Sequence, residues 1–344
     1  MTSRLSPRRR HFVRHAIPAA IVASAFLVIF LVTVVRENVG RRTPIGWGVT
    51  FSTKYARELG IEWREAYLAM LDELGVTRVR IPIHWDEVER EPGSYRFEEI
   101  DWMLTEAAKR DVSVLLVVGR RTPRWPECHT PSWAAMLGLE RQNERVLELV
   151  RREVERFKSA PAVVGWQVEN EPLLDVFGVC PPGDVALLGK ERRIVKELDP
   201  GRPVVITDSG ELSLWLPAGL YADVLGISMY RVTWNRWLGY FYYPITPAFY
   251  QRRASALFPI IKKVIITELQ AEPWPSRNRA IPNVPLGELY ETMNIPRLRS
   301  NIEFARRVGF SEVYLWGVEW WYWVRAKGDS SFWNEARALF MGGK

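Results

Sequence analysis

The chain has 344 residues, of which 47% are hydrophobic and 25% are charged, a composition typical of a globular protein with a large core. The formal net charge is +7, but residues 1–42 hold eight arginines and one acid, so this segment alone accounts for the excess and the remainder is neutral. The basic balance is therefore no argument for nucleic-acid binding by the folded domain, and we expect none.

The first predicted element is a membrane helix at residues 16–35, a run of 20 residues without a charged side chain. As a helix it would span about 30 Å, the thickness of a hydrocarbon core. Five arginines precede the run and three follow it, so the positive-inside rule places a basic tail, residues 1–15, in the cytoplasm. We expect an uncleaved anchor in the lipid bilayer of the cell membrane, then a short stalk at 36–44 and an extracytoplasmic domain. A cleaved signal peptide that releases a secreted protein and a buried core helix are the alternatives.

From residue 45 onward, short β-branched runs alternate with amphipathic helical stretches. The predicted strands are 46–51, 78–83, 113–118, 162–168, 203–207, 224–228, 263–267 and 312–316. They are apolar on both faces, as is typical of parallel strands covered by helices. Helices are predicted between them, the later ones near 184–197, 246–262, 286–308 and 330–341, and the helix between strands five and six is expected to be short.

Eight βα units in about 300 residues predict an α/β fold, a closed (β/α)8 TIM barrel over residues 45–342. A doubly wound open sheet is the competing architecture, and it usually carries a glycine-rich phosphate turn after the first strand. Gly46-Trp47-Gly48 lacks the third glycine and lies inside the strand. The globular part has two histidines and two cysteines, with no zinc motif and no GxSxG elbow, so we expect neither a metal nor a cofactor.

Cys128 and Cys180 fall in the loops after the third and fourth predicted strands. Outside the membrane two such cysteines can pair, so a disulfide is one hypothesis and two unrelated buried thiols is the other.

Two glutamates each lie just past a short apolar run that is predicted to be a buried strand. Glu171 comes directly after the fourth predicted strand, within Asn170-Glu171-Pro172, and Glu268 directly after the seventh. Parallel strands all end at the same rim of a barrel, so the two carboxyl groups can face each other across one cleft. A pair of carboxylates is what glycosidic bond cleavage requires. Either glutamate alone would be weak evidence, since glutamates often cap helix N-termini.

With these residues in place, the chain resembles the clan A glycoside hydrolases, the superfamily of retaining barrels that includes the family 5 cellulases and mannanases. The resemblance covers about residues 45–340. It implies that Glu171, preceded by Asn170, is the acid/base and that Glu268 is the nucleophile. It also implies that Arg80 contacts the nucleophile, that Tyr230 donates a hydrogen bond to it, and that the ring of Trp316 forms the floor of the sugar-binding site.

Elementary electrostatics agrees with these implied roles. Arg80 and Tyr230 would keep Glu268 ionised, and the negative Glu268 would raise the pKa of Glu171 so that it begins protonated. Asn170 could donate to the sugar 2-hydroxyl. The alternatives are a structural ion pair for Arg80 and packing at the barrel rim for Tyr230 and Trp316.

Aromatic residues favour a sugar cleft, because flat rings stack on the apolar faces of pyranoses. Ten of the 16 tryptophans fall at or after predicted strand ends, and we expect three to five of them to face a ligand. Trp85 is the second expected platform, after Trp316. His84 and His129 are candidate sugar contacts, although ordinary loop histidines would look the same.

Two positions depart from family 5. Ser228 stands where many members have a histidine, two residues before the tyrosine of strand six, and Gly119-Arg120-Arg121 stands where many have a histidine at the end of strand three. The superfamily is therefore a safer expectation than the family.

The expected function is that of a membrane-anchored, extracytoplasmic, retaining β-glycosidase acting on an oligo- or polysaccharide. Transglycosylation is a close variant. The rivals are a non-catalytic glycan-binding or cell-envelope barrel and an enzyme of phosphorylated metabolites. An enzyme of phosphorylated metabolites is expected to have a glycine-rich phosphate site after strands seven and eight, but this chain is rich in tryptophan there.

Overall fold

The computed structural model describes residues 44–342. The strands, in chain order, are β1 (Gly46–Thr50), β2 (Arg78–Pro82), β3 (Ser113–Val118), β4 (Val163–Val168), β5 (Val204–Ser209), β6 (Val224–Met229), β7 (Val232–Asn235), β8 (Gly239–Tyr242), β9 (Val264–Gln270) and β10 (Glu312–Trp316). All but β7 and β8 close into one barrel in the order β1-β10-β9-β6-β5-β4-β3-β2. Every neighbouring pair in the barrel is parallel.

Helices cover the outside of the barrel. They are α1 (Thr53–Glu58), α2 (Trp63–Glu73), α3 (Trp85–Val88), α4 (Glu98–Ala108), α5 (Ser132–Ala135), α6 (Leu139–Phe157), α7 (Val185–Leu198), α8 (Leu216–Gly219), α9 (Pro247–Leu257), α10 (Leu286–Thr292), α11 (Ile295–Val308), α12 (Val318–Ala326) and α13 (Ser331–Met341), with 3₁₀ turns at Ser276–Asn278 and Ile281–Asn283. The predicted (β/α)8 barrel is confirmed, and the short helix expected between strands five and six is α8.

The core has two parts. Inside the barrel a small cluster is formed by Leu115, Val205, Val224, Ile265 and Tyr314. The larger core lies between the outward faces of the strands and the apolar faces of the helices. Because the strands are buried on both sides, polar side chains concentrate where the strands end, and these C-terminal ends form the mouth of the barrel.

The structure differs from the predicted elements in three places. β9 continues through Glu268 to Gln270, because Ser228 pairs with Glu268 on one side and Trp316 with Gln270 on the other. The helix predicted at 286–308 is two helices. The side chain of Asn294 caps α11 by accepting a hydrogen bond from the backbone N–H of Arg297, and a proline follows in the first turn. The antiparallel hairpin of β7 and β8 has no counterpart in the prediction.

The predicted tail, the membrane helix at 16–35 and nearly all of the stalk lie outside the described residues. Within residues 44–342 no helix combines the length and the apolar character needed to cross a bilayer.

Candidate active site

Glu171 lies at the barrel mouth, three residues beyond the end of β4. Its backbone has a φ of +44°, a conformation that residues other than glycine rarely adopt. Its N–H donates to Thr207 Oγ1 at 2.8 Å, and its Oε1 accepts from Ser228 Oγ at 2.7 Å. These partners belong to β5 and β6, so the turn directs the carboxyl group across the barrel mouth, where it is 7% exposed.

Glu268 lies within β9 and is 5% exposed. Its Oε1 accepts from Arg80 Nη1 at 2.8 Å and its Oε2 accepts from the Tyr230 hydroxyl at 3.0 Å. Burial, with the charge of Glu268 next, raises the pKa of Tyr230 well above its usual value, so the phenol remains a donor. A cation and a hydrogen-bond donor on the two oxygens both favour the ionised carboxylate.

The structure brings the two carboxyl groups together through shared neighbours. Ser228 donates to Glu171 and is also the residue that pairs with Glu268 in the sheet. Burial, and then the negative charge of Glu268, raises the pKa of Glu171 well above its usual range. The surroundings of Glu171 therefore favour its protonated form.

Arg80 is fully buried at the centre of the site. Its Nε donates to Gln167 Oε1 and its Nη2 to Asn170 Oδ1, each at 2.7 Å, in addition to the ion pair with Glu268. The planar fork of a guanidinium group fixes all of these acceptors at once. Arg80 thus ties the predicted Asn170 and Glu268 into one network.

A third carboxyl group, Glu127, adjoins the pair and was missed by sequence reasoning. The amide nitrogen of Asn170 donates to Glu127 Oε2 at 2.9 Å. Burial, followed by the nearby charge of Glu268, raises the pKa of Glu127 to about 8. The residue lies in the loop after β3, whose sequence has no periodic hydrophobic pattern. The one sequence signal near it is the adjacent Cys128.

The sulfur atoms of Cys128 and Cys180 are 2.12 Å apart, so the loops after β3 and β4 are joined by a disulfide. The N–H of Val179 donates to the carbonyl of Pro126 at 2.9 Å, and Arg121 Nη2 donates to the carbonyl of Phe177 at 2.9 Å. The two loops therefore form one covalently and hydrogen-bonded unit beside the carboxyl groups.

Trp316 ends β10 at the barrel mouth, as expected, but one face of its ring is covered. The guanidinium carbon of Arg124 lies 3.9 Å from the ring centroid. Trp85 does not reach the site. It is fully buried, its Nε1 donates to Glu89 Oε2 at 2.7 Å, and its ring packs against Trp133. The expectation that Trp85 is a sugar platform is wrong, because α3 turns its indole inward.

His84 and His129 are both buried, with ring centroids 4.1 Å apart. His84 lies between the hydroxyl oxygens of Ser52 and Thr122, at 3.0 and 2.9 Å. Burial lowers the pKa of His84 well below its usual value and that of His129 to about 4, so both rings are neutral at pH 7. Both rings hold loops together, and their role as sugar contacts stays a prediction.

The expected aromatic surface is smaller than the tryptophan count indicates, because Trp320, Trp321 and Trp323 pack into the core. A chain of ring contacts nevertheless leads away from Glu268. Tyr230 contacts Trp274 at 5.4 Å between centroids, Trp274 contacts Phe177 at 6.0 Å, and Phe177 contacts Trp125 at 5.9 Å. Phe177 was not predicted, since a single phenylalanine in a loop gives no signal.

Solved structures with a similar fold include a β-galactosidase from the psychrophilic Marinomonas ef1, which is 17% identical with a TM-score of 0.56 over 79% of this chain and 54% of that one. Another is GH5_18 from Streptomyces cattleya in complex with GlcNAc, which is 15% identical with a TM-score of 0.54 over 80% of this chain and 71% of that one. A third is the exo-β-1,4-mannosidase Op5Man5 from Opitutaceae bacterium strain TAV5, at 17% identity and a TM-score of 0.50 over 82% and 53%.

At such identities the likeness shows the barrel fold alone. The chain spans about half the length of the first of these structures. No protein-family model matches the chain, and no curated protein matches it.

Proposed function

We propose that this chain is a retaining glycoside hydrolase that cleaves β-linked saccharides, with Glu171 as acid/base and Glu268 as nucleophile. The observation that carries the proposal is the pair of buried carboxyl groups in opposite surroundings. Glu268 is bound by a cation and a phenol, whereas Glu171 accepts from the neutral hydroxyl of Ser228 and has a strongly raised pKa. Two such carboxyl groups divide the roles of nucleophile and acid.

In the first step, Glu268 attacks the anomeric carbon and the bond from that carbon to the glycosidic oxygen breaks. Glu171 gives its proton to the departing oxygen, so the leaving saccharide is released as an alcohol and the sugar remains as an ester on Glu268. Arg80 and Tyr230 hold the carboxylate oxygens in place for this attack.

In the second step, water attacks the anomeric carbon of the ester, and Glu171 accepts its proton. This reversal is electrostatically consistent, because the charge of Glu268 is absent from the ester and one cause of the raised pKa of Glu171 is then removed. Glu268 leaves as the carboxylate, and two displacements at one carbon retain the anomeric configuration. If another sugar takes the place of water, the same intermediate gives transglycosylation.

The names of structurally similar proteins support the substrate class, since they include a β-galactosidase and an exo-β-1,4-mannosidase. The intact set of Arg80, Asn170, Tyr230 and both glutamates favours an enzyme over a non-catalytic glycan-binding barrel, which would not need a charge-paired nucleophile.

The proposal includes a location outside the cell membrane, with residues 16–35 as the anchor. The arginine distribution around that run supports this orientation. A disulfide between Cys128 and Cys180 is in keeping with an oxidising, extracytoplasmic compartment.

The test is to follow hydrolysis of aryl β-glycosides by proton NMR and to repeat it with Glu268→Gln. The proposal predicts that the β-anomer appears first and that the variant has no measurable turnover. Initial release of the α-anomer, or a near-normal rate for the variant, would refute the assignment.

A further inference from the structure

The loop after β3, residues 119–131, reaches across the barrel mouth to the opposite rim. Its Arg124 contacts Tyr55 in α1, Glu272 after β9, and Trp316 and Glu319 at β10 and α12. We call residues 119–131 the crossing loop. It joins parts of the rim that are far from β3 in the strand order.

Arg124 fills the space between two aromatic rings. Its guanidinium carbon is 3.6 Å from the ring centroid of Tyr55 and 3.9 Å from that of Trp316. Its Nη1 donates to Glu272 Oε1 at 2.5 Å and its Nη2 to Glu319 Oε2 at 2.8 Å. All of these side chains except that of the half-buried Tyr55 are buried. A ring sandwich closed by two ion pairs leaves no gap for a sugar at this position.

A second set of contacts fixes the crossing loop over β1 and β2. The backbone N–H of Asp86 donates to the carbonyl of His129 at 2.9 Å, and Lys54 Nζ lies 3.0 Å from His129 Nδ1. Thr122 Oγ1 lies 2.9 Å from His84 Nδ1. Protein therefore covers the rim from β10 through β1 to β2.

The direction of the substrate follows from the chemistry. The proton of Glu171 goes to the leaving-group oxygen, so the leaving saccharide lies on the side of β4 and of the loop that carries Phe177. The sugar that is attacked lies on the other side, toward Trp316. The covered rim is thus beyond the attacked sugar. On the side of β4, Phe177 is joined by ring contacts to Trp274 and to Trp125, and Trp125 is 56% exposed.

We propose that the crossing loop closes the site behind a single sugar unit, so that the enzyme removes terminal residues from the non-reducing end of a β-linked chain. The leaving saccharide rests against Trp274, Phe177 and Trp125, and we call these three side chains the leaving-group wall. This inference rests on the proposed function and uses the same two displacements at Glu268.

The first test is an initial-rate product analysis with the full chain. The probes are aryl β-glycosides and a panel of β-linked hexasaccharides of glucose, mannose, galactose and N-acetylglucosamine, each with a fluorophore at the reducing end. The inference predicts a labelled pentasaccharide and free monosaccharide as the only early products. Labelled di- or trisaccharides at early times would overturn it while the proposed function stands.

Comparing the aryl glycosides with the hexasaccharides separates failure of this inference from failure of the proposed function. Hydrolysis of an aryl glycoside with no hydrolysis of any hexasaccharide would also overturn the inference, because a wall for a leaving saccharide would then have no use. No hydrolysis of either kind of probe would contradict the proposed function together with the inference.

The second test concerns the leaving-group wall. Trp125→Ala should lower kcat/KM on the cleaved hexasaccharide about tenfold, mainly through KM, relative to kcat/KM on the corresponding β-glycosyl fluoride, whose leaving group is one atom. Phe258→Ala is the matched control, since Phe258 is also aromatic, 65% exposed and followed by proline, but precedes β9 at the far end of the barrel. It should leave the ratio of the two rates unchanged. Equal losses on both substrates with Trp125→Ala would contradict the wall.

Discussion

At the scale of single residues, the site depends on the difference between two glutamates that share Ser228 as a neighbour. Glu268 is bound by Arg80 and Tyr230, and Glu171 is bound by Ser228 and a backbone turn. Burial and the charge of Glu268 raise the pKa of Glu171, and the hydrogen bond from Ser228 opposes that rise. Ser228 distinguishes the two glutamates, because it donates a side-chain hydrogen bond to Glu171 and meets Glu268 through strand pairing.

Glu171→Gln should lower the rate by an amount that depends on the leaving group of the substrate, because the variant lacks the general acid. We expect kcat to fall about 10²–10⁴-fold on substrates with a poor leaving group, because general acid catalysis contributes about that much. A 2,4-dinitrophenyl glycoside needs no proton, so its first step should be far less affected. The measurement is a comparison of kcat/KM across aryl glycosides, and equal losses for all of them would argue against Glu171 as the acid.

Glu127→Gln should stabilise the protein at neutral pH. The pKa of Glu127 is raised to about 8 when folded, whereas an unfolded glutamate titrates near 4.3. A carboxyl group whose pKa is raised by folding does not destabilise the folded state below about pH 4. Its destabilising effect grows as the pH rises toward 8. The variant should therefore gain on the order of 3–4 kcal/mol in free energy of unfolding at pH 7 and almost nothing at pH 4.

The amide of the variant can still accept the hydrogen bond from Asn170, so packing is preserved. Denaturant unfolding at the two pH values measures the effect. A gain of the same size at both would show that the carboxyl group is not the cause.

At the scale of elements, the strands could be predicted and the loops could not. The apolar runs that become β2, β3, β4 and β10 are recognisable because a barrel strand is buried on both faces. The position of Glu171 follows from where β4 ends, whereas Glu268 lies within β9, two residues before the strand ends. Glu127 and Phe177 belong to loops, whose conformations depend on long-range contacts such as the Cys128–Cys180 disulfide. Trp85 was misjudged because a strand-end position does not fix the direction in which a helix turns a side chain.

The disulfide should be a major part of the stability of the two joined loops. It closes a segment of 52 residues, for which the loss of unfolded-state entropy corresponds to about 4 kcal/mol. The double variant Cys128→Ser/Cys180→Ser should lose stability of that order, and a reducing agent should destabilise the native chain to the same extent without affecting the variant. Labelling of both thiols in the native, unreduced protein would show that they are not paired.

At the scale of the whole molecule, the chain enters the described structure at residue 44, next to the first strand, at the end of the barrel opposite its mouth. The proposed anchor is separated from this point by about nine residues, which can span about 30 Å at most. Under the proposed anchoring, the mouth would lie at the end of the barrel away from the membrane.

The anchor itself can be tested by fractionation. The full chain should sediment with membranes and remain there after a carbonate wash, whereas a chain that begins at residue 43 should be soluble and equally active. Recovery of a soluble protein whose N-terminus lies just beyond residue 35 would indicate a cleaved signal peptide instead.

The central claim is that Glu268 carries the sugar between the two displacements. A 2-deoxy-2-fluoro β-glycoside with a good leaving group slows the second step and allows the ester to accumulate. Mass spectrometry of the peptides from the inactivated protein should find one fluorosugar, on Glu268. A label on another residue, or rapid turnover that gives the inverted product with no labelled protein, would contradict the account.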